Sequence, residues 1–387
     1  MKVLFIAHSS EIQGSGKSML ALIQTLQKLG VEIEVLLPGK GPLCNDLKKM
    51  KVPICKVPFY LSVYPPKNNL RDFVLYVPRL ARSIVFNVIS LFQTAYIVKL
   101  FKPDLIHTNV GPIHIGSSVS RLFKIPHVWH IREYQEEHFG WIPFPSLSNF
   151  LRKTKHPNNH LVSITKGLFQ HYQMSQNKDF IVYNGVVNDV NVPSIAKKKN
   201  YFLFVGNISE DKGFKEMLNA FIEISHQFPT FNLFIAGTGS EEMIDYLNEI
   251  IIKSSLSNRI LYLGFRKNVN QLMAEASAII ISSRSEGFGR VMAEAMYNGC
   301  LVIGKNAAGI KEQFDNGLQF CDQEIGIRYS DYGDLVSSLK NVCRNGVEHY
   351  LHTINLAQKT VLELYSMERS GRRIFQIYNE ILENGVN

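Results

Sequence analysis

A chain of 387 residues, 45% hydrophobic and 19% charged, has room for two or three domains and a globular composition, which excludes disordered and low-complexity classes. Five scattered cysteines (44, 55, 300, 321 and 343) with no Cys-x-x-Cys pair argue for reduced thiols, and against a disulfide framework or a zinc site. The net charge of +9 is unevenly placed: residues 1–190 hold 22 Lys and Arg against 11 Asp and Glu, a net of +11, and the remainder holds 20 against 22, a net of −2. A basic first half suits an acidic partner such as a membrane surface, a phospholipid-linked acceptor or nucleic acid, and is equally the mark of an ordinary basic surface. No nucleic-acid motif accompanies it.

Lys2–Ala7 reads as a buried strand, too short and too soon followed by a loop for a signal peptide. The loop His8–Gly16 and the amphipathic run Lys17–Leu29 follow, with Gly30 as a stop and Val31–Leu37 as the next strand, a Rossmann-like opening. Gly16-Lys17-Ser18 is not a P-loop, because Glu11 stands where that loop needs glycine. Ser83–Leu100 approaches transmembrane length, but Ser83, Asn87, Ser90, Gln93 and Thr94 interrupt it. It is expected to be a packed helix, or a helix that also touches a membrane surface; six cations against Asp72 give residues 61–103 a net of +5. Lys102–Asn109 and Ile125–His130 hold strands that deliver His107 and His130 to the sheet edge, the second followed by the polar run Ile131–Glu137 with Arg132 and Glu133. Two histidines at consecutive strand ends are candidates for chemistry, although a lone histidine is more often structural.

Phe180–Val186 precedes a polar linker, and Asn200–Val205 opens a second set of strands. Phe231–Ala236 ends in Gly237-Thr238-Gly239, and Ile260–Gly264 is a further strand. Ala276–Ser282, the loop Ser283–Gly289, a helix from Arg290 and a strand at Cys300–Gly304 form a strand–loop–helix–strand unit, followed by the loop Ala307-Ala308-Gly309. Its loop lies at the carboxyl edge of the sheet, where open α/β sheets bind ligands. Glu286 and Glu294 bracket the helix N-terminus, which suits a phosphate, while carboxylates beside it accept hydrogen bonds from sugar hydroxyls. Final helices are expected at 334–343, 349–364 and 367–383.

The string Ser-x-x-Glu-Gly-Phe-Gly-x-Val-x-x-Glu-Ala-Met-x-x-Gly, from Ser283 to Gly299, closely resembles the signature of family 4 glycosyltransferases (glycosyl transferases group 1). Pro103–His107, Tyr183-Asn184-Gly185-Val186 and Lys212-Gly213 resemble further family motifs, so the likeness spans nearly the whole chain, specific in the second half and diffuse in the first. The resemblance implies an α/β GT-B fold: two Rossmann-like domains facing a central cleft, at 1–187 and 200–365, a linker at 188–199, and a helix in 366–387 crossing back to the first domain.

It implies a retaining, metal-independent transferase of the EC 2.4 class, with no cofactor and a nucleotide sugar as co-substrate, a UDP-sugar slightly favoured over a GDP-sugar. The acceptor would be a glycan or lipid-linked glycan in cell-envelope polysaccharide synthesis. The enzyme would be cytoplasmic, with peripheral contact at the anionic inner membrane face and no nucleic-acid partner. Catalytic roles fall to His130, Lys212 and Glu286. Donor binding falls to Gly14 and Gly16 (a loose match), Gly206, Asn207, Lys212, Gly237, Gly264, Glu286, Gly287, Phe288, Gly289, Glu294 and Gly309. Acceptor-side candidates are His107, Arg132 and Glu133. Glu286 would hold the sugar hydroxyls, Glu294 the ribose and Lys212 the diphosphate. Asn207 stands where relatives have arginine and brings no charge. A nucleotide-sugar 2-epimerase and a non-catalytic GT-B subunit are the alternatives.

Overall fold

The computed structural model describes every residue except 13, 68, 137–139, 189–191 and 385–387. Gln13, Glu137 and the 189–191 part of the expected linker therefore lie outside the described residues. The chain divides into two compact units, Met1–Gly185 with Met367–Asn387, and Val186–Ser366.

The first unit is a seven-stranded parallel sheet of β1 (Lys2–Ile6), β2 (Glu32–Leu37), β3 (Ile54–Lys56), β4 (Leu105–Thr108), β5 (His127–Ile131), β6 (Asn159–Ser163) and β7 (Phe180–Ile181), in the order β3-β2-β1-β4-β5-β6-β7. Val3 to Ile6 are all fully buried, as a strand covered by helices on both faces requires. The second unit is a six-stranded parallel sheet of β8 (Lys199–Val205), β9 (Asn232–Ala236), β10 (Ile260–Gly264), β11 (Ala276–Ile281), β12 (Val302–Lys305) and β13 (Ile327–Tyr329), in the order β10-β9-β8-β11-β12-β13. In each sheet the winding reverses between two neighbours, β1 with β4 and β8 with β11. The loops leaving those strands are thereby brought together at the carboxyl edge, the usual place for a ligand in such sheets.

The chain enters and leaves the second unit side by side, with Val186 N–H donating to the Tyr365 carbonyl at 2.9 Å and Val187 bridged to Ser366. The terminal helix Met367–Asn384 then belongs to the first unit. Its stripe Ile374, Ile377, Tyr378 and Ile381, spaced for one helical face, joins Met19, Leu22, Ile23 and Leu26 of the helix Gly14–Lys28 in one apolar cluster. Gly371 permits the approach, since a Cβ there would run into the Thr25 side chain.

Three expectations need correction. Gly14 and Gly16 lie in the first turn of a helix and not in a loop; first-turn amides have no intrahelical partner to lose, and a Cβ on Gly16 would sit 3.1 Å from the Glu11 carbonyl. Ala308 and Gly309 likewise begin a helix, Ala308–Cys321. The apolar run after residue 75 is one helix, Tyr76–Phe101, packed along one face only: its fully buried residues are Ser90, Thr94 and Val98.

Candidate active site

In the second unit the reversal between β8 and β11 places the loop 206–213 beside the loop 282–289. The Ser282 hydroxyl donates to the Lys212 carbonyl at 2.7 Å, and Arg284 N–H to the Asp211 carbonyl at 3.0 Å. Gly213, at φ 63°, caps the helix Phe214–Ser225 and lies so close to Ser282 that a side chain would collide with its backbone. The result is a short, half-buried ion pair: Lys212 Nζ lies 2.5 Å from Glu286 Oε1, and Ser283 Oγ donates to the same oxygen at 3.1 Å. The two residues assigned to diphosphate and sugar hydroxyls are thus adjacent, with cation and carboxylate fixed before any substrate group is considered.

Phe288 is buried against Tyr365, ring centroids 5.1 Å apart and nearly perpendicular, so its ring anchors the loop. Gln313 Nε2 donates to the carbonyls of Phe288 and Gly289. Gly289, at φ 85°, starts the helix Arg290–Tyr297, whose N-terminus has no side-chain cap. Within that helix Arg290 Nη2 lies 3.2 Å from Glu294 Oε1, so Arg290 is engaged with Glu294 and does not stand as a solvated helix arginine. Gly309 does not offer its amide outward: the N–H donates to the Glu286 carbonyl at 2.9 Å, and its role is to hold the loop.

Gly206, Gly237 and Gly264 stand at the ends of adjacent strands. Gly206 N–H donates to the Ala236 carbonyl at 3.1 Å and Gly237 N–H to the Gly264 carbonyl at 3.0 Å. A Cβ on Gly237 would overlap the Gly206 carbonyl oxygen, so close backbone approach explains that glycine. Asn207 follows them, exposed.

In the first unit, His107 is fully buried: it stacks on Phe5 at 4.5 Å, and its Nδ1 lies 2.6 Å from the Tyr378 hydroxyl. It cannot touch an acceptor, which corrects that assignment. Its Nε2 lies 3.3 Å from His130 Nδ1. Arg132 donates from Nη2 to His130 Nδ1 at 3.3 Å, from Nε to Asn109 Oδ1 at 2.9 Å, and from Nη1 to Asn184 Oδ1. Guanidinium only donates, so His130 Nδ1 accepts and the proton of the neutral ring is on Nε2. Burial first, then the Arg132 charge, holds both His107 and His130 well below the usual histidine range, consistent with a neutral ring. His107 then donates from Nε2 and accepts from Tyr378. His130 Nε2 is buried without a partner, as are Glu133 Oε1, both Gln135 amide atoms and His8 Nδ1. Burial raises the Glu133 carboxyl to about 7 against the opposing pull of Arg132. Of these residues His130 borders a small pocket, together with Ser18, Leu22, Arg132 and Asn184. Tyr378, Asn109, Gln135 and Gln313 were not singled out from sequence; only the helical spacing of the Ile374–Ile381 stripe pointed toward Tyr378.

The buried histidines give the first unit a pH signature. His127, fully buried, faces the Asn159 amide oxygen at 2.8 Å and the Thr108 hydroxyl at 2.8 Å, and burial lowers it to about 4. Its folded value lies below the ordinary 6.5, so between them the unfolded chain binds more protons. Stability is held above pH 6.5 and falls toward pH 4, by about 3 kcal/mol for this one group. Glu133 acts in the opposite sense between its ordinary 4.5 and about 7, but His8 and His114 add to His127. Protection factors at β5, which divide out the intrinsic exchange rate, should fall between pH 6.5 and 4.5; protection independent of pH would contradict this.

The two parallel α/β units are those of a GT-B fold. Residues 188–359 match the family model described as Glycosyl transferases group 1. The second unit is a glycosyl transferases group 1 domain, and the chain is a glycosyltransferase. It is 26% identical over 327 residues, 81% of this chain and 82% of the other, to the Campylobacter jejuni N-acetylgalactosamine-N,N'-diacetylbacillosaminyl-diphospho-undecaprenol 4-alpha-N-acetylgalactosaminyltransferase. It is 25% identical over 393 residues, 92% of this chain and 97% of the other, to the Escherichia coli UDP-Gal:alpha-D-GlcNAc-diphosphoundecaprenol alpha-1,3-galactosyltransferase. Anabaena HepE, solved in complex with UDP, shares the fold with a TM-score of 0.78 at 19% identity, covering 98% of this chain and all of the other.

Proposed function

We propose that this chain transfers a glycosyl group, with retention and without a divalent metal or other cofactor, from a nucleotide sugar to a hydroxyl of a lipid-linked glycan in cell-envelope polysaccharide synthesis. A UDP-sugar is the first donor to try, because HepE is solved with UDP. The acceptor class follows the undecaprenyl diphosphate substrates in the names of two relatives. Such an acceptor would place the work at the inner membrane face.

The observation that carries the reading is the Lys212–Glu286 pair, 2.5 Å apart at the carboxyl edge of the second sheet. The bond from the anomeric carbon to the diphosphate breaks, a bond to the acceptor oxygen forms, and the acceptor proton passes to the departing diphosphate oxygen. Charge grows on the departing diphosphate, where the Lys212 ammonium and the N-terminus of the helix Arg290–Tyr297 supply positive potential. Glu286 accepts hydrogen bonds from sugar hydroxyls, and Glu294 from the ribose.

Thermal shift against UDP-, GDP- and dTDP-sugars tests the donor site. One class should raise the melting midpoint, by about 2.7 kcal/mol of stabilisation at 100 times Kd; no response to any would contradict the reading. A ribose contact exists in ground and transition states alike, so Glu294→Ala should raise KM for the donor about tenfold and spare kcat. A large fall in kcat at unchanged donor affinity would remove Glu294 from that role.

A further inference from the structure

The helix Tyr76–Phe101 leaves most of its apolar surface uncovered. Its inward face holds Asn87, Ser90 and Thr94: Asn87 Oδ1 accepts from Tyr60 N–H at 2.8 Å, and the Ser90 hydroxyl bonds the carbonyls of Pro58 and Phe86. Its outward face holds Val77, Val85, Val88, Phe92, Tyr96 and Leu100, all more than half exposed, and their spacing of three, four and eight puts them in one stripe. Over 26 residues the stripe runs about 39 Å. The preceding short helix, Leu70–Val74, extends it with Leu70 and Phe73, 80% and 68% exposed. The most apolar window of the long helix has a mean hydropathy of 1.7, yet only 17% of it is buried. A surface helix in water carries the opposite pattern, and an apolar patch this long marks an interaction site.

We propose that these two helices seat the first unit in the boundary between headgroups and acyl chains of an anionic bilayer, with the stripe facing the lipid. Charge selects the occupant. Arg71, Arg82 and Lys99 are exposed along this segment, while its acid, Asp72, is already paired with Arg79 at 2.6 Å. A second copy of the chain on this face would set one basic segment against the same basic segment, which like charges oppose. Anionic lipid offers both the apolar phase and the counter-charge. The helix lies along the surface and does not span: Leu91, Ile97, Val98 and Phe101 pack with Leu4, Ile6 and Ile106 of the first sheet, so its other face is already committed to protein. The proposal deepens the membrane-side reading above, and depends on it only for the idea that the acceptor is lipid-linked.

Flotation of the full chain with vesicles tests it. Wild type should float with phosphatidylglycerol-containing vesicles, less with pure phosphatidylcholine, and less again as salt rises. Val85→Ser, Val88→Ser and Phe92→Ser combined should cut recovery on the order of tenfold or more, with an unchanged melting midpoint because none of the three is in the core. Arg71→Ser, Arg82→Ser and Lys99→Ser combined should remove the preference for anionic lipid. No flotation of wild type, equal flotation of the serine variant, or a wild-type dimer in sedimentation that the serine variant dissolves would overturn the proposal. Transfer to a detergent-dispersed acceptor, measured in parallel, should be unaffected by the serine changes. Activity there without flotation sinks the docking surface alone, and flotation without activity sinks the acceptor reading alone.

Discussion

Lys212→Ala should lower turnover by about 10²-fold or more while the protein stays folded. Two features of the site lead to that expectation. The ammonium is held by Glu286 at 2.5 Å and by a loop that the Ser282 hydroxyl and Arg284 amide tie down, so it needs no reorganisation when charge develops on the leaving diphosphate. Asn207 contributes no charge where relatives of the resembled family carry arginine, so the loss of Lys212 leaves little cationic help on that loop. Stability should hardly change, because a half-exposed ion pair contributes about 1 kcal/mol or less. Steady-state kinetics with a fixed acceptor measure the effect. Near-normal turnover would show that Arg290, now paired with Glu294 at 3.2 Å, carries the diphosphate instead.

Gly309→Ala should damage the site directly, because its added methyl group meets the backbone of the loop that carries Glu286. The new Cβ would lie 2.7 Å from the Glu286 carbonyl oxygen, 2.8 Å from Phe288 Cα and 2.9 Å from the Gly287 carbonyl oxygen. These are backbone atoms of the loop that positions Glu286, and they cannot rotate away as a side chain would. Relief requires moving the loop, which strains the Gly309 N–H bond to Glu286 and the Gln313 bonds to Phe288 and Gly289. Overpacking of this kind costs about 1–3 kcal/mol, and displacement of Glu286 should lower turnover at least about tenfold. Urea unfolding read alongside the transfer rate checks both. A variant with wild-type midpoint and rate would show that the loop is not held from Gly309.

The periodic parts of this fold were legible in the sequence because burial imposes a period. Val3–Ile6 and Ala276–Ile281 are covered on both faces and read as unbroken apolar runs. The pairing of Lys212 with Glu286 was not written in their separation of 74 residues; it follows from the strand order that makes β8 and β11 neighbours. Short-range composition misplaced Gly14, Gly16 and Gly309 in loops, since glycine is tolerated in a first helical turn and is required wherever another backbone comes close. His107 looked like a site residue from its place at a strand end. Its burial between Phe5 and Tyr378 depends on a helix 271 residues away in sequence. Ser83–Leu100 was expected to be a packed helix, or one that also touches a membrane surface, because apolar length alone cannot tell which face is covered. The covered face holds Ser90 and Thr94 beside Val98.

The central claim is that this chain moves a sugar from a nucleotide to a lipid-linked glycan, with charge on the leaving group met by Lys212. It is tested most directly by incubating wild type and Lys212→Ala with a panel of UDP-, GDP- and dTDP-sugars and an undecaprenyl-diphosphate-linked monosaccharide. The lipid-linked product is then resolved and the anomeric configuration of the new bond read by NMR. One donor class should yield a product one sugar longer, with the donor's configuration retained, with chelator present, and with turnover depressed by about 10²-fold or more in Lys212→Ala. Free sugar released without acceptor, an inverted linkage, or equal rates in the two proteins would contradict the account.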